Sequence, residues 1–205
     1  LKSAAAPLGI SANTLRTTLT ESGIEVRSAN QENPNAPAVR LFDIQTIFAI
    51  AAYRRAKKLT KGPEGKKPVV IAVEIIKGGT GKTTTTCEVA VQLQLQGLKV
   101  MVIDIDIQAN LTQLMGYESD LSSDDADNFG LTQDAIVNGT FATICSPIMD
   151  RKARPVDAGS VIKYPFGPFG PALIPSDTYF GDLESAIVSS SGPRELAFQR
   201  FFNES

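Results

Sequence analysis

The stretch VVIAVEIIKGGTGKTTTT, Val69–Thr86, decides how the rest of the chain is read. It opens with VVIAVE, a β-branched apolar run with the length and composition of a buried parallel strand. It closes on threonines that begin a helix, expected over about Thr83–Gln96. The turn between them, Lys77-Gly78-Gly79-Thr80-Gly81-Lys82, holds three glycines and two lysines. A glycine-rich strand-to-helix turn exposes backbone amides at the positive end of the helix, where they cradle a phosphate. Glycine serves because a Cβ would block close approach and forbid some of the backbone angles. Lys82 is then placed to reach the β- and γ-phosphates of a nucleotide, and the Thr83 hydroxyl to bind Mg2+. Gly78, Gly79, Thr80, Gly81, Lys82, Thr83 and Thr84 are the expected nucleotide cradle. An ordinary glycine-rich turn is the competing reading, and the flanking strand and helix weigh against it.

Downstream, Gly97 ends the helix and KVMVIDID, from Lys99, reads as the next strand. Strand, turn, helix and strand make a βαβ unit with a parallel pair. The expected fold class is α/β: a P-loop NTPase parallel sheet flanked by helices, with its C-terminal part incomplete. PALIPSD, Pro171–Asp177, reads as a further short strand, and LESAIVSSSGPRELAFQRFF as two helical pieces broken at Gly192-Pro193. Residues 117–135 are acidic and polar and read as a surface loop, with a short helix near Leu131–Val137. Residues 151–170 are rich in proline and glycine and give no clear pattern.

The front of the chain is built differently. AAAPLGISANTLRTTLTESGI has a small-residue helix end, a turn at Gly9, Ser11 as an N-cap and Leu15 and Leu19 at helical spacing. That is the spacing of a helix-turn-helix whose second helix runs from about Ser11 to Thr20. Asn13, Thr14, Arg16 and Thr17 would then be free to meet a DNA groove. The polar stretch Ser28–Pro37 reads as a loop, a wing tip of a small winged-helix-like DNA-binding domain. Asp43 caps a helix through IQTIFAIAAYRRAKKL, with Ile44, Ile47, Phe48, Ala51 and Ala52 on the 3.6 period. Its end carries Arg54, Arg55, Lys57 and Lys58, read either as DNA phosphate contacts or as a solvated end matched to the helix dipole. TKGPEGKKP is the clearest linker. The expected organisation is a helix-turn-helix region over 1–60, a linker over 61–68 and an ATPase domain over 69–205.

Charge follows the same division. Residues 1–68 carry 11 Lys/Arg and 5 Asp/Glu, a net of +6; residues 69–205 carry 9 and 17, a net of -8, so the formal -2 hides a basic front and an acidic body. With 42% apolar and 20% charged residues the chain has ordinary globular composition. No apolar run approaches the roughly 18–20 residues of a membrane helix, and no signal-peptide pattern is present. Cys87 and Cys145 are far apart and there is no histidine, which excludes a Cys/His zinc site. Reduced thiols and a cytoplasmic location follow. Cys87 reads as core packing. A chain that starts at Leu1 reads as a piece of a longer protein.

The strict pattern G-x-x-x-x-G-K-(S/T) fails, because Ile76 stands where its first glycine belongs. Lys77-Gly78-Gly79-Thr80-Gly81-Lys82-Thr83 instead resembles the deviant Walker A motif, KGGxGK(S/T), of the ParA/MinD family of ATPases. The resemblance implies that Lys77 reaches across a two-fold axis to the nucleotide of a partner subunit, so Lys77 and Lys82 both serve catalysis. Triphosphates buried face to face at such an interface need their charge offset from both sides. VMVIDIDIQANLTQLMG, Val100–Gly116, resembles the family's second motif, hhhDxDxQxxxT. It implies that Asp106 orients or activates the attacking water and that Asp104 lies near the Mg2+ shell; the competing reading is that either one only caps the loop helix. The basic front followed by this ATPase motif is similar to the larger, type Ia plasmid ParA proteins.

That likeness is close over about 8–116 and looser at ALIPSDTYFGDLESAI. It implies an ATP-dependent homodimer that binds operator and non-specific DNA and drives prokaryotic plasmid segregation with a ParB-type partner. Nucleoid association and repression of its own operon go with it, and no membrane. The family's Walker B strand, ending in Asp before Pro-Pro, is not found before Ser205. The sheet is therefore expected to be unfinished, an edge left unpaired, and the 205 residues alone unable to hydrolyse ATP. The alternative is a nucleotide-sensing transcriptional repressor with no transport role. A MinD-like membrane ATPase is disfavoured by the DNA-binding front, and an iron–sulfur relative by the lack of paired cysteines.

Overall fold

The computed structural model describes residues 1–29, 39–60, 67–75, 77–146, 154 and 156–189. The chain folds as two compact units: Leu1–Val100 with Phe166–Pro171, and Met101–Pro165 with Ala172–Ser205.

In the first unit, helix α1 (Lys2–Ala5) is followed by a turn at Gly9, whose φ of 62° is the left-handed region glycine enters cheaply. Helix α2 (Ala12–Ser22) starts where the sequence predicts, with Ser11 Oγ accepting from the Thr14 amide at 3.0 Å. Leu15, Thr18 and Leu19 are buried on one face. Strands β1 (Arg27–Ala29) and β2 (Val39–Leu41) pair antiparallel, Arg27 opposite Leu41 and Ala29 opposite Val39. Most of the expected wing tip, 30–37, lies outside the described residues. Helix α3 (Ile44–Ala56) is capped by Asp43, whose carboxylate accepts from the Thr46 amide at 2.7 Å. That backbone hydrogen bond, with the Thr46 side chain next, holds the Asp43 carboxyl below the ordinary range. Helix α4 (Lys82–Leu95) follows the glycine-rich turn. The core gathers Leu8, Leu15, Leu19, Ile47, Phe48, Ile50 and Leu95, so α4 shares a core with the front helices. The 61–66 part of the expected linker lies outside the described residues, and the compact units divide after Val100.

The second unit holds strand β3 (Met101–Ile103) paired parallel with β4 (Ala172–Ile174), Val102 opposite Leu173. The pairing continues one step, the Asp104 amide donating to the Ile174 carbonyl at 3.0 Å. Helix α5 (Asn110–Leu114) follows β3, then a short α6 (Ser123–Ala126), α7 (Phe141–Ile144) and α8 (Phe180–Ser189). Phe141, Ile144, Cys145, Val161, Ile174 and Leu183 form its core. Burial pushes the Cys145 thiol up to about 11, so it packs as an inert apolar group.

Two expectations are corrected. Residues 69–74 form no strand among the described residues, and Val70 is 91% exposed; the parallel partner of β3 is β4 instead. A buried strand is specified by the ladder and layers that cover it, and composition alone supplies neither. The helix near 131–137 shrinks to a single 3-10 turn, Gln133–Ala135, because Ile136 is taken into a bridge with Glu118. The first predicted helical piece near the end is α8; the break at Gly192-Pro193 lies outside the described residues.

Candidate functional site

Gly79 (φ 71°) and Gly81 (φ 79°) both sit in the left-handed region, and Gly81 is the N-cap of α4. A Cβ built on Gly78, Gly79 or Gly81 would meet no described atom within 4 Å. The glycines are thus not demanded by packing; two of them, Gly79 and Gly81, are favoured by backbone angle. The first amides of α4 have no intrahelical acceptor by construction. Fourteen residues of helix give that end its positive dipole.

Lys82 and Thr83 are half-buried at the first turn of α4, while Lys77, Gly78, Gly79, Thr80 and Thr84 are exposed. The turn is braced from within: Thr80 Oγ1 donates to the Lys77 carbonyl at 3.2 Å and Thr86 Oγ1 to that of Lys82 at 2.9 Å. At the far end of α4, buried Gln94 donates to the Phe169 carbonyl at 2.6 Å and accepts from the Val100 amide at 2.9 Å. This anchor was not foreseen: glutamine on an amphipathic helix carries no signal of what it meets 75 residues away.

The acidic pair lies in the second unit. Asp104 is buried, 4% exposed. Its Oδ2 accepts from the Thr112 hydroxyl at 2.8 Å and the Thr112 amide at 2.9 Å, and its Oδ1 from the Asp106 amide at 3.1 Å. Asp106 is half-buried; its Oδ1 accepts from the Gln108 amide at 3.1 Å and its Oδ2 from Asn110 Nδ2 at 3.4 Å. Both carboxylates therefore shape the loop ahead of α5, and the cap of α5 itself is Ala109, held at φ 50°. No group of three His, Cys, Asp or Glu side chains fit to hold a metal occurs among the described residues. The donors that fit a magnesium–nucleotide pair are the open glycine cradle, the Lys82 amine and the Thr83 hydroxyl.

At the end of β4, Asp177 Oδ2 accepts from Thr140 Oγ1 at 2.8 Å, while Asp177 Oδ1 and Ser176 Oγ are buried with no hydrogen-bond partner among the described residues. Burial raises the Asp177 pKa above its ordinary 3.8 despite the Thr140 bond.

Asn13, Thr14, Arg16 and Thr17 share the exposed face of α2. Arg16 Nη1 donates to Asn13 Oδ1 at 3.3 Å. Arg54 and Arg55 are half-buried at the end of α3, and Arg54 Nη2 donates to the Leu59 carbonyl at 3.4 Å. That bond favours a helix-ending role for Arg54. No helix among the described residues is long and apolar enough to cross a membrane.

The AAA_31 family model, an AAA domain, matches residues 68–203. A putative replication protein A of Rhizobium rhizogenes is 38% identical over 87 residues, 38% of this chain and 21% of that protein. A ParA family protein of Chlamydia trachomatis serovar D is 33% identical over 135 residues, 65% of this chain and 41% of that one. A solved cobyrinic acid a,c-diamide synthase from Mycobacterium smegmatis, with bound ATP analog and magnesium, is 22% identical; it covers 62% of this chain and 42% of its own, with a TM-score of 0.45. The matches thus span only about a fifth to two fifths of these curated relatives. The chain belongs to the AAA_31 family of AAA domains.

Proposed function

We propose that this AAA_31 member binds and hydrolyses Mg-ATP at the Lys77–Thr84 turn and serves as an ATP-dependent DNA-partition protein. The observation that carries the reading is the turn: two glycines at positive φ, space no described atom fills, and Lys82 and Thr83 on the first turn of α4. Backbone amides there would hold the phosphates and orient them, and the Lys82 amine would offset charge on the β- and γ-phosphates. Magnesium, when bound, would draw further charge from those phosphates; the Thr83 hydroxyl is its proposed ligand, with Asp104 near its shell. Asp106 is assigned the orientation of the attacking water. Lys77 is assigned to the nucleotide of a second subunit, so that ATP favours a homodimer.

DNA binding is assigned to residues 1–60. Its support is the capped α2 with Asn13, Thr14, Arg16 and Thr17 exposed on one face, the β1–β2 pair and a net charge of +6 over residues 1–68. Arg55 is the further phosphate contact proposed on α3. A ParB-type partner would stimulate hydrolysis and release the DNA; repression of its own operon and a nucleoid-associated cytoplasmic location complete the reading. Hydrolysis then acts as a timer on a nucleotide switch.

A gel shift of the full-length protein with operator and random DNA, each without nucleotide, with ADP and with ATP, tests the reading. ATP-dependent binding of random DNA supports it. The rival, a repressor that only senses nucleotide, predicts operator binding alone and repression that survives Asp106→Ala with no segregation defect.

A further inference from the structure

Asp104 is buried at the end of β3, and the hydrogen bonds described to its carboxylate come from the Asp106 amide in the loop that follows and from Thr112 on α5. Thr112, fully buried on α5, does more than donate to it. Thr112 Oγ1 also accepts from the Ser176 amide at 3.0 Å, just beyond β4. One hydroxyl therefore links the ends of two paired strands, using its donor toward β3 and its acceptor toward β4. The segment clamped between Asp104 and Thr112 contains Asp106. It also contains Ala109 at φ 50°, 1% exposed, a conformation a non-glycine residue keeps only where its surroundings over-determine it.

We propose that Thr112 is a positioning residue: through Asp104 and the Ser176 amide it fixes the 105–109 loop and the start of α5 to the ends of β3 and β4, and so sets where the Asp106 carboxylate is presented. Nothing in the distances asks Thr112 to touch nucleotide. Its hydroxyl has both its donor and its acceptor engaged inside the unit, and its side chain is out of reach of solvent. Valine has the same shape and neither function. Serine keeps both and loses only a methyl group.

The kinetic arm of the test rests on the ATPase reading; the exchange arm does not. In the full-length protein, Thr112→Val is expected to lower kcat for ATP hydrolysis by about tenfold or more while KM for ATP stays within about twofold. Thr112→Ser should recover kcat to within about threefold of wild type. Hydrogen exchange of the same proteins, without nucleotide, should show amides of 105–111 and of Ser176 exchanging at least about fivefold faster in Thr112→Val and near wild type in Thr112→Ser. Unchanged exchange in Thr112→Val overturns the proposal whatever the kinetics, as does a serine variant no better than valine. If exchange changes as expected but the wild type turns over no ATP, the proposal stands and the ATPase reading falls.

Discussion

Single side chains divide here by whether their partners are local or distant. Ser11 and Asp43 each take an amide three residues on, and both caps were legible from the sequence because cap chemistry is local. Ser11→Ala is expected to destabilise the first unit by about 1 kcal/mol, read from the denaturant midpoint at unchanged slope. Thr112 and Ser176 meet across 64 residues, and no sequence pattern forecasts that the threonine closing the DxDxQxxxT run bridges two strands. Asp177 likewise carries no sequence signal beyond its place at the end of PALIPSD. Burial raises its folded pKa above the ordinary 3.8, so the folded state binds the proton more tightly than the unfolded one. The stability contributed by the protonated form is complete below 3.8 and is lost as pH rises through the raised value. Asp177→Asn should therefore melt above wild type at pH 7, and the gap should close on titration below pH 3.8; an equal gap at both ends would contradict the assignment.

Elements show where composition stops being informative. The helices α2, α3 and α4 follow from apolar spacing and caps, and their shared core centres on Phe48, which is fully buried. Phe48→Ala should cost about 3–5 kcal/mol by chemical denaturation, enough to unfold a marginal domain. The VVIAVE run carries the composition of a buried strand yet stands outside any described ladder, whereas Ala172–Ile174, a shorter run between prolines, pairs with β3. Strand identity lies in the partner, and partners are set by topology rather than by local pattern. On α2, Arg16→Glu is expected to weaken operator binding more than random-DNA binding in gel shifts; loss of one phosphate contact should also lower the salt slope by about one unit. Equal losses on both DNAs would remove α2 from base readout.

At the scale of the whole molecule, the reading stands on the glycine-rich turn before α4. Its glycines, lysine and threonine stand out in the sequence because the proposed phosphate binding would need a fixed order of small and cationic residues on one turn. The division into compact units after Val100 was not, since it depends on α3 and α4 sharing a core through contacts far apart in the chain. The net of +6 over residues 1–68 against -8 over residues 69–205 supports the proposal that the front meets DNA. The most direct test is calorimetric titration of Mg-ATP into the full-length protein and its Lys82→Ala variant, with unchanged melting temperature of the free proteins as the control. Wild type should bind one nucleotide per chain and the variant at least about tenfold more weakly, about 1.4 kcal/mol. Equal affinity in the two proteins, or no heat of binding in wild type, would contradict the assignment of the turn to a triphosphate.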